Sequence, residues 1–222
     1  MSAHLLERQD ISGLESILLD GVVLKPAPYS ELARFTQNQL SLFCLAHGVY
    51  QIPVCELIDF LKSEIGEMEA LEIGAGNGVI GRSLGIRATD SHMQDDPAIS
   101  ALYASAGQPT VMYGKDVEKI DAVSAVAKYE PECVVGCWVT HKWTARIGSG
   151  NYFGIDESAF KRLGVSKYIH VGNDSVHGMK PLLKSGARIR KLKFPWILSR
   201  SMNPDGNVIY IFEGNDYCVY TI

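Results

Sequence analysis

Several common sequence features are missing from this 222-residue chain. It has no Cys-x-x-Cys pair, no apolar run near the roughly 20 residues that cross a bilayer, and no basic N-terminal head followed by an apolar core. Its five cysteines are odd in number and widely spread, so we predict neither a disulfide framework nor a zinc site. The spacing of its histidines matches no metal-ligand motif. These absences predict a cytoplasmic protein without a membrane segment or a metal.

Acidic residues are absent from Ser175 to Pro204, where seven cations fall: Lys180, Lys184, Arg188, Arg190, Lys191, Lys193 and Arg200. Residues 1–74 instead carry eleven acidic and four basic side chains. The run from Lys180 to Arg200 could contact a nucleic acid. We favour a solvated face balanced by the acidic N-terminal part, because the whole chain has a net charge of −4 and nucleic-acid domains are usually basic overall.

The first 66 residues have helical patterns. Ile11 to Leu19 is amphipathic, Ser30 could cap a helix over Glu31 to His47, and a core-facing stripe runs from Val54 to Leu61. Gly66 closes this part of the chain. We predict a helical N-terminal appendage over residues 1–66, packed over the mouth of a second domain at residues 67–222.

Strands alternate with helices from Ala70 onward. Predicted strands are Ala70–Ile73, Ile86–Thr89, Thr110–Tyr113, Cys133–Val139, Lys167–Val171, Arg188–Phe194 and Val208–Phe212. Helices are predicted over Glu118–Lys128 and Asp156–Leu163. Apolar strands separated by helices indicate an α/β fold with a parallel sheet covered on both faces. The last two strands, joined by a turn-rich loop, are expected to form an antiparallel hairpin at one edge.

A glycine-rich turn follows the first of these strands, and it can be read in two registers. Gly76-x-Gly78-x-x-Gly81 matches a dinucleotide fingerprint, which requires an acidic residue about 20 positions later. That position falls in a polar loop. If the motif instead begins at Glu72, Asp90 lies just past the second strand, where a carboxylate can accept hydrogen bonds from both hydroxyls of a ribose.

The second register resembles the first motif of class I S-adenosylmethionine-dependent methyltransferases. The resemblance implies a seven-stranded Rossmann-like sheet of order 3-2-1-4-5-7-6, with the last strand antiparallel, and S-adenosyl-L-methionine as cofactor. Glu72 would hold its amino group and Asp90 its ribose, while Asp116 and Val117 would clamp the adenine. The turn and the fourth strand's end would complete the cofactor site with Gly74, Ala75, Gly76, Asn77, Gly78 and Cys137.

Polar and aromatic residues after the fourth and fifth strands are candidates for the acceptor site. His141 is the candidate base, and the residues expected to line substrate are Trp138, Thr140, Trp143, Asn173 and His177. The chain carries neither of the motifs typical of methyltransferases that act on exocyclic amines or pyrimidine C5 of nucleic acids. A methyltransferase is therefore predicted, with a small molecule favoured as acceptor. An NAD(P)-dependent oxidoreductase and an inactive S-adenosylmethionine-binding scaffold remain alternatives.

Overall fold

A central sheet flanked by helices forms the molecule. The fold is described from a computed structural model, which covers residues 8–145 and 148–214. Residues 1–7, 146–147 and 215–222 lie outside the described residues. They include the outer ends of both predicted domains and Cys218. Within the described part of the chain, no helix has the length and apolar character that crossing a bilayer requires.

The described strands, numbered β1 to β9, are Leu19–Asp20, Val23–Leu24, Ala70–Ile73, Arg87–Asp90, Val117–Lys119, Cys133–Cys137, Lys167–Asn173, Arg188–Leu192 and Asn207–Glu213. The described α-helices, α1 to α9, are Ser12–Leu18, Tyr29–Leu32, Gln37–Ala46, Cys55–Ile65, Val79–Leu84, Pro97–Ser105, Ala122–Tyr129, Ala159–Arg162 and Asp174–His177. Single 3₁₀ turns cover Met93–Asp95, Pro181–Lys184 and Pro204–Gly206.

Seven strands form the main sheet in the order β5-β4-β3-β6-β7-β9-β8. The strands from β5 to β7 pair in parallel, and β9 runs antiparallel to both β7 and β8. Counted along the chain within this sheet, the order is 3-2-1-4-5-7-6. The predicted Rossmann-like topology, with its antiparallel last strand, is therefore confirmed.

The sheet has an apolar core on each of its two faces. Successive side chains of a strand point to opposite faces, so neighbouring residues of one strand belong to different cores. Val135, Ile169 and Ile211 belong to a core on one face. Val134, Tyr168 and Phe212 belong to a core on the other face, which α7 covers. This double coverage explains why β6 and β7 are apolar along nearly their whole length.

The N-terminal helices cover the first of these faces. Leu14, Phe43, Leu57 and Leu61 are buried in the same cluster as the strand residues of that face. The helices of residues 12–65 therefore supply one layer of the fold's own core. The predicted boundary at residue 66 stays a prediction.

The third strand of the sheet was wrongly predicted. Residues Thr110–Tyr113 form no strand; β5 begins at Val117 and ends at Lys119. The helix predicted from Glu118 begins at Ala122 instead, where the Asp121 carboxylate accepts hydrogen bonds from the backbone N–H groups of Val123 and Ser124.

The helix predicted over Glu31–His47 is divided in two. Ser30 lies inside the short helix α2, and α3 begins after Thr36. Thr36 and Gln39 form a reciprocal capping box, which satisfies two backbone donors at the start of α3. The cap explains why the chain starts a new helix here.

Substitution of Leu57 by alanine tests whether the N-terminal helices and the sheet unfold together. Leu57 is fully buried in the shared core, so we expect Leu57→Ala to lower the free energy of unfolding by about 2–5 kcal/mol. Thermal unfolding followed by circular dichroism should remain a single transition. The exposed Asp59→Ala on the same helix is the control. A separate early transition of the helices alone would contradict the shared core.

Candidate active site

A cavity of about 560 Å³ opens at the carboxyl ends of β3, β4 and β6. In open α/β sheets, ligands bind at this edge. The glycine turn forms its floor, and its walls come from four further parts of the chain. These parts are residues 48–51, residues 90–113, residues 121–123, and the segment 137–156, which begins at the last residue of β6.

The glycine turn adopts a backbone that residues with a Cβ rarely adopt. Gly74 and Gly76 have φ values of +60° and +55°. A Cβ on Gly74 would lie 2.9 Å from Cγ2 of Val139, so the turn and the end of β6 pack closely. Gly74, Ala75, Gly76 and Asn77 line the cavity, while Gly78 lies outside it against Val117.

Glu72 is a buried carboxylate beneath this turn. Its side chain is 1% exposed and lines the cavity, and its Oε2 accepts a hydrogen bond of 2.7 Å from the backbone N–H of Gly81 in α5. Burial raises the pKa of Glu72 to about 8, although the Gly81 hydrogen bond opposes the shift. A Cβ on Gly81 would lie 2.7 Å from the same carboxylate oxygen, which gives Gly81 a structural role.

Asp90 ends β4 at the side of the turn. Its Oδ2 accepts a hydrogen bond from the Gly76 N–H at 3.0 Å, and its Oδ1 accepts one from the His92 N–H at 2.9 Å. Both oxygens keep further lone pairs for a ligand. The His92 ring is stacked on Tyr113, with ring centroids 3.9 Å apart. Asp90 is thus fixed at the cavity wall.

The predicted adenine clamp does not lie in the cavity. Asp116 pairs with Arg82 at 2.9 Å, and Val117 is the first residue of β5. Their assignment depended on the misplaced third strand, so it needs correction. Asp121 follows the end of β5, and Asp121, Ala122 and Val123 line the cavity. Burial alone would raise the pKa of Asp121, but hydrogen bonds from Ser124 and Val123 lower it on balance.

The end of β6 and the residues just after it line the cavity. Cys137 lines it, and burial raises the pKa of its thiol well above the usual range. Trp138 has a φ of +60°, a rare and costly conformation for a bulky side chain. Its indole N–H donates to Gln51 Oε1 at 3.3 Å. Trp138 and Thr140 both line the cavity, as do Lys142 and the residues Asn151–Asp156.

His141 is buried behind this wall. Its Nε2 lies 3.2 Å from Ser149 Oγ, and burial and the charge of Lys180 lower its pKa. Its neighbours Thr140 and Lys142 line the cavity, and it does not. The predicted base therefore has no contact with the space that a substrate would enter.

Three other predicted substrate residues also lie outside the cavity. Trp143 is half exposed beyond the wall. Asn173 caps α9, and its side chain donates to Asn207 Oδ1 and to the Asn203 carbonyl. His177 is buried against the edge of Trp138, and burial lowers its pKa to about 3. Asn173 therefore has a capping role and His177 a packing role.

A buried ion pair supports the wall from behind. Lys180 is fully buried, and its Nζ donates to the Val139 carbonyl at 2.8 Å and to Glu157 Oε1 at 2.5 Å. Tyr168 OH also donates to Glu157 Oε1, at 2.7 Å. The pair connects β6 to the end of the segment 137–156. No sequence signal distinguished Lys180 from the other cations of its run.

Most of the basic run is engaged within the chain. Arg190 pairs with Glu64 and Glu213, and both Lys191 and Lys193 pair with Asp174. Arg200 lies over the ring of Tyr50, 4.4 Å from its centroid, and donates to Gln108. The basic run therefore connects separate parts of the fold through ion pairs, a cation–π contact and a hydrogen bond.

Tyr50, from the part of the chain predicted to pack over the mouth, forms a roof over the cavity with Tyr103, a partner that was not predicted. Tyr50 OH lies 3.3 Å from Tyr103 OH, and the Arg200 N–H donates to the Tyr50 carbonyl. These contacts connect the loop after α3 to α6, two segments with no shared sequence motif. Tyr50, Gln51, Gln94 and Tyr103 line the cavity from this side.

Comparisons with known proteins add little to this geometry. No protein-family model and no curated protein matches the chain. Among solved structures, it is similar to CurJ carbon methyltransferase, with 10% identity, a TM-score of 0.40, and coverage of 71% of this chain and 53% of that one. Magnesium protoporphyrin IX methyltransferase from Synechocystis PCC 6803 gives 13% identity, a TM-score of 0.38, and coverage of 72% and 77%.

A SAM-dependent methyltransferase from Agrobacterium tumefaciens gives 9% identity, a TM-score of 0.35, and coverage of 71% and 61%. The chain spans about half the length of the first solved structures that it matches. Likeness at this level carries no argument about function. The function is therefore argued from the cavity.

Burial of Glu72 predicts a pH-dependent stability. The pKa of this carboxyl is about 8 in the fold and about 4.3 in an unfolded chain, so its contribution is complete below pH 4 and is lost as pH rises through 8. Glu72→Gln keeps an acceptor for the Gly81 N–H. We expect the ligand-free variant to be more stable than the parent by about 3–5 kcal/mol at pH 8.5, and by only about 1 kcal/mol at pH 5.

Denaturant unfolding at the two pH values measures this difference. Exposed Glu67→Gln is the control and should change stability little at either pH. If Glu72→Gln instead lost the same amount of stability at both pH values, burial of the Glu72 carboxylate would carry no cost in the free energy of folding.

Proposed function

We propose that this chain is an S-adenosylmethionine-dependent methyltransferase. The observation that carries the proposal is the charge of the cavity. Among the described lining residues, the carboxylates of Asp90, Asp121 and Asp156 face a single cation, Lys142, and the buried Glu72 adds a fourth acidic group that a bound cation can ionise. A wall of this charge attracts a ligand that carries a sulfonium and an ammonium, and it repels a pyrophosphate.

The positions of the carboxylates fit the parts of this cofactor. Asp90, an acceptor at the end of β4, suits the two ribose hydroxyls, and Asp121 at the end of β5 suits the exocyclic amine of adenine. Glu72 lies under the turn and suits the cationic methionine portion. A bound cation would favour the ionised form of Glu72 and lower its raised pKa.

The cofactor supplies an activated methyl group and its own leaving group, so the chain has to position and shield the reactants. The glycine turn, with Val139 against Gly74, sets the wall past which the acceptor approaches. The roof of Tyr50 and Tyr103 covers the cavity and limits water. The bound cofactor would supply the methyl group and its thioether would leave with the electron pair of the carbon–sulfur bond, while a proton lost by the acceptor would pass to water.

A small-molecule acceptor fits better than a nucleic acid. The roof narrows the cavity, and most of the basic run is already paired with carboxylates or stacked on Tyr50. The predicted cytoplasmic location stays a prediction.

The two alternative functions have less support. In the dinucleotide register, Gly78 should let the backbone approach a pyrophosphate, but Gly78 lies outside the cavity against Val117. The inactive scaffold would keep the cofactor contacts without turnover, and the acceptor cavity beyond Trp138 favours an enzyme over it.

Two aspartates provide a matched test of the cofactor site. We expect Asp121→Asn to weaken S-adenosylhomocysteine binding about tenfold, because it replaces a charge-assisted acceptor while keeping an oxygen for the α7 cap. Asp116→Asn, outside the cavity, should change the affinity less than twofold. Isothermal calorimetry measures both. The reverse ranking would restore the adenine clamp to Asp116 and refute the assignment to Asp121.

A further inference from the structure

Aromatic side chains are concentrated in the part of the cavity that lies beyond the end of β6. We call this part the acceptor region, lined by residues 50–51, Tyr103, residues 138–140, Lys142 and residues 151–156. On its inner side, Trp138 and Tyr50 lie with ring centroids 6.1 Å apart, and Tyr50 OH contacts Tyr103 OH. The three rings form one continuous wall.

A second aromatic pair faces the region from the segment after β6. Tyr152 and Phe153 both line the cavity, and their rings meet edge to face at 5.5 Å. Tyr152 is 74% exposed and Phe153 is 51% exposed. Adjacent aromatic side chains that stay this exposed beside a cavity indicate a surface that a ligand covers.

Several polar side chains of this region are already engaged with the protein. Gln51 donates to the Leu198 carbonyl and accepts from Trp138. Asn151 Oδ1 accepts from the Phe153 N–H. Asp156 Oδ1 accepts from both the N–H and the hydroxyl of Ser158. With these polar groups held by the protein, the ring faces and edges are available for recognition, together with Thr140 and Lys142.

The backbone supports the same interpretation. Trp138 keeps a φ of +60°, and its indole is held by Gln51 and by a perpendicular contact with the ring of His177, with ring centroids 5.4 Å apart. Strained backbone persists where surrounding contacts hold it, and it clusters at ligand sites. The strain presents the indole to the region next to Cys137, where the proposed methyl transfer would occur.

We propose that the methyl acceptor is a small molecule with a planar aromatic ring, bound between the Tyr50–Trp138 wall and the Tyr152–Phe153 pair. This inference rests on the proposed methyltransferase function and narrows its substrate class. Offset and edge-to-face ring contacts contribute beyond the burial of apolar area, so a flat ring is preferred over a saturated ring of similar size.

Matched ring pairs test the preference. Protein saturated with S-adenosylhomocysteine is titrated with phenol and cyclohexanol, with catechol and cis-1,2-cyclohexanediol, and with quinoline and decahydroquinoline. Ligand-observed NMR reports binding. We expect each aromatic member to bind at least fivefold more tightly than its saturated partner. Equal affinities within all pairs, or binding of neither member, would overturn the proposal.

Variants locate the binding. Tyr152→Leu/Phe153→Leu removes the rings and keeps apolar side chains, so it should weaken the aromatic ligands about five- to tenfold and leave S-adenosylhomocysteine affinity unchanged. Val22→Leu, an exposed apolar change on the β1–β2 turn, is the control. Aromatic binding that the double variant does not weaken would contradict the assignment. If S-adenosylhomocysteine itself fails to bind the parent protein, the proposed function fails, which is a distinguishable result.

Discussion

A carboxylate buried at the centre of the sheet is the constraint on which the site depends. Glu72 lies beneath the glycine turn and accepts a hydrogen bond from the first helical turn after it, so strand, turn and helix are connected through one side chain. The contact requires glycine at position 81. Burial of the ionised Glu72 carboxylate costs free energy in the ligand-free protein. In the proposed function a cationic ligand above the turn offsets this cost, because it stabilises the ionised form.

The sheet was predictable where strands are buried on both faces. The apolar run of Cys133–Cys137 and the motif from Glu72 to Gly78 placed β6, β3 and the turn, and the order followed from the resemblance. The edge strand β5 was not predictable, because Val117–Lys119 contains two charged residues and buries only Val117. The strand was instead predicted at Thr110–Tyr113, which is more apolar. In the structure this segment packs on the glycine turn, with Val111 beside Gly76.

The same error placed the predicted adenine clamp at Asp116, because that residue was counted from the wrong strand end, whereas the residue that we propose for this contact, Asp121, follows β5. Contacts between distant segments were beyond sequence reasoning. Lys180 is one of seven cations in a run, and only the tertiary structure shows its pairing with Glu157 behind the cavity wall. The roof joins Tyr50 to Tyr103 across 53 positions, and neither residue belongs to a motif. His141 has the right position in the chain, but its ring is turned toward Ser149.

The central claim is that the cavity holds a cationic sulfonium cofactor above Glu72. Calorimetric titration of the protein with S-adenosylmethionine, S-adenosylhomocysteine and NAD at pH 7.5 and again at pH 9 tests it most directly. The account predicts binding of both sulfur compounds, no binding of NAD, and release of protons at pH 7.5 as the cation ionises Glu72. Clear NAD binding without binding of either sulfur compound would contradict it.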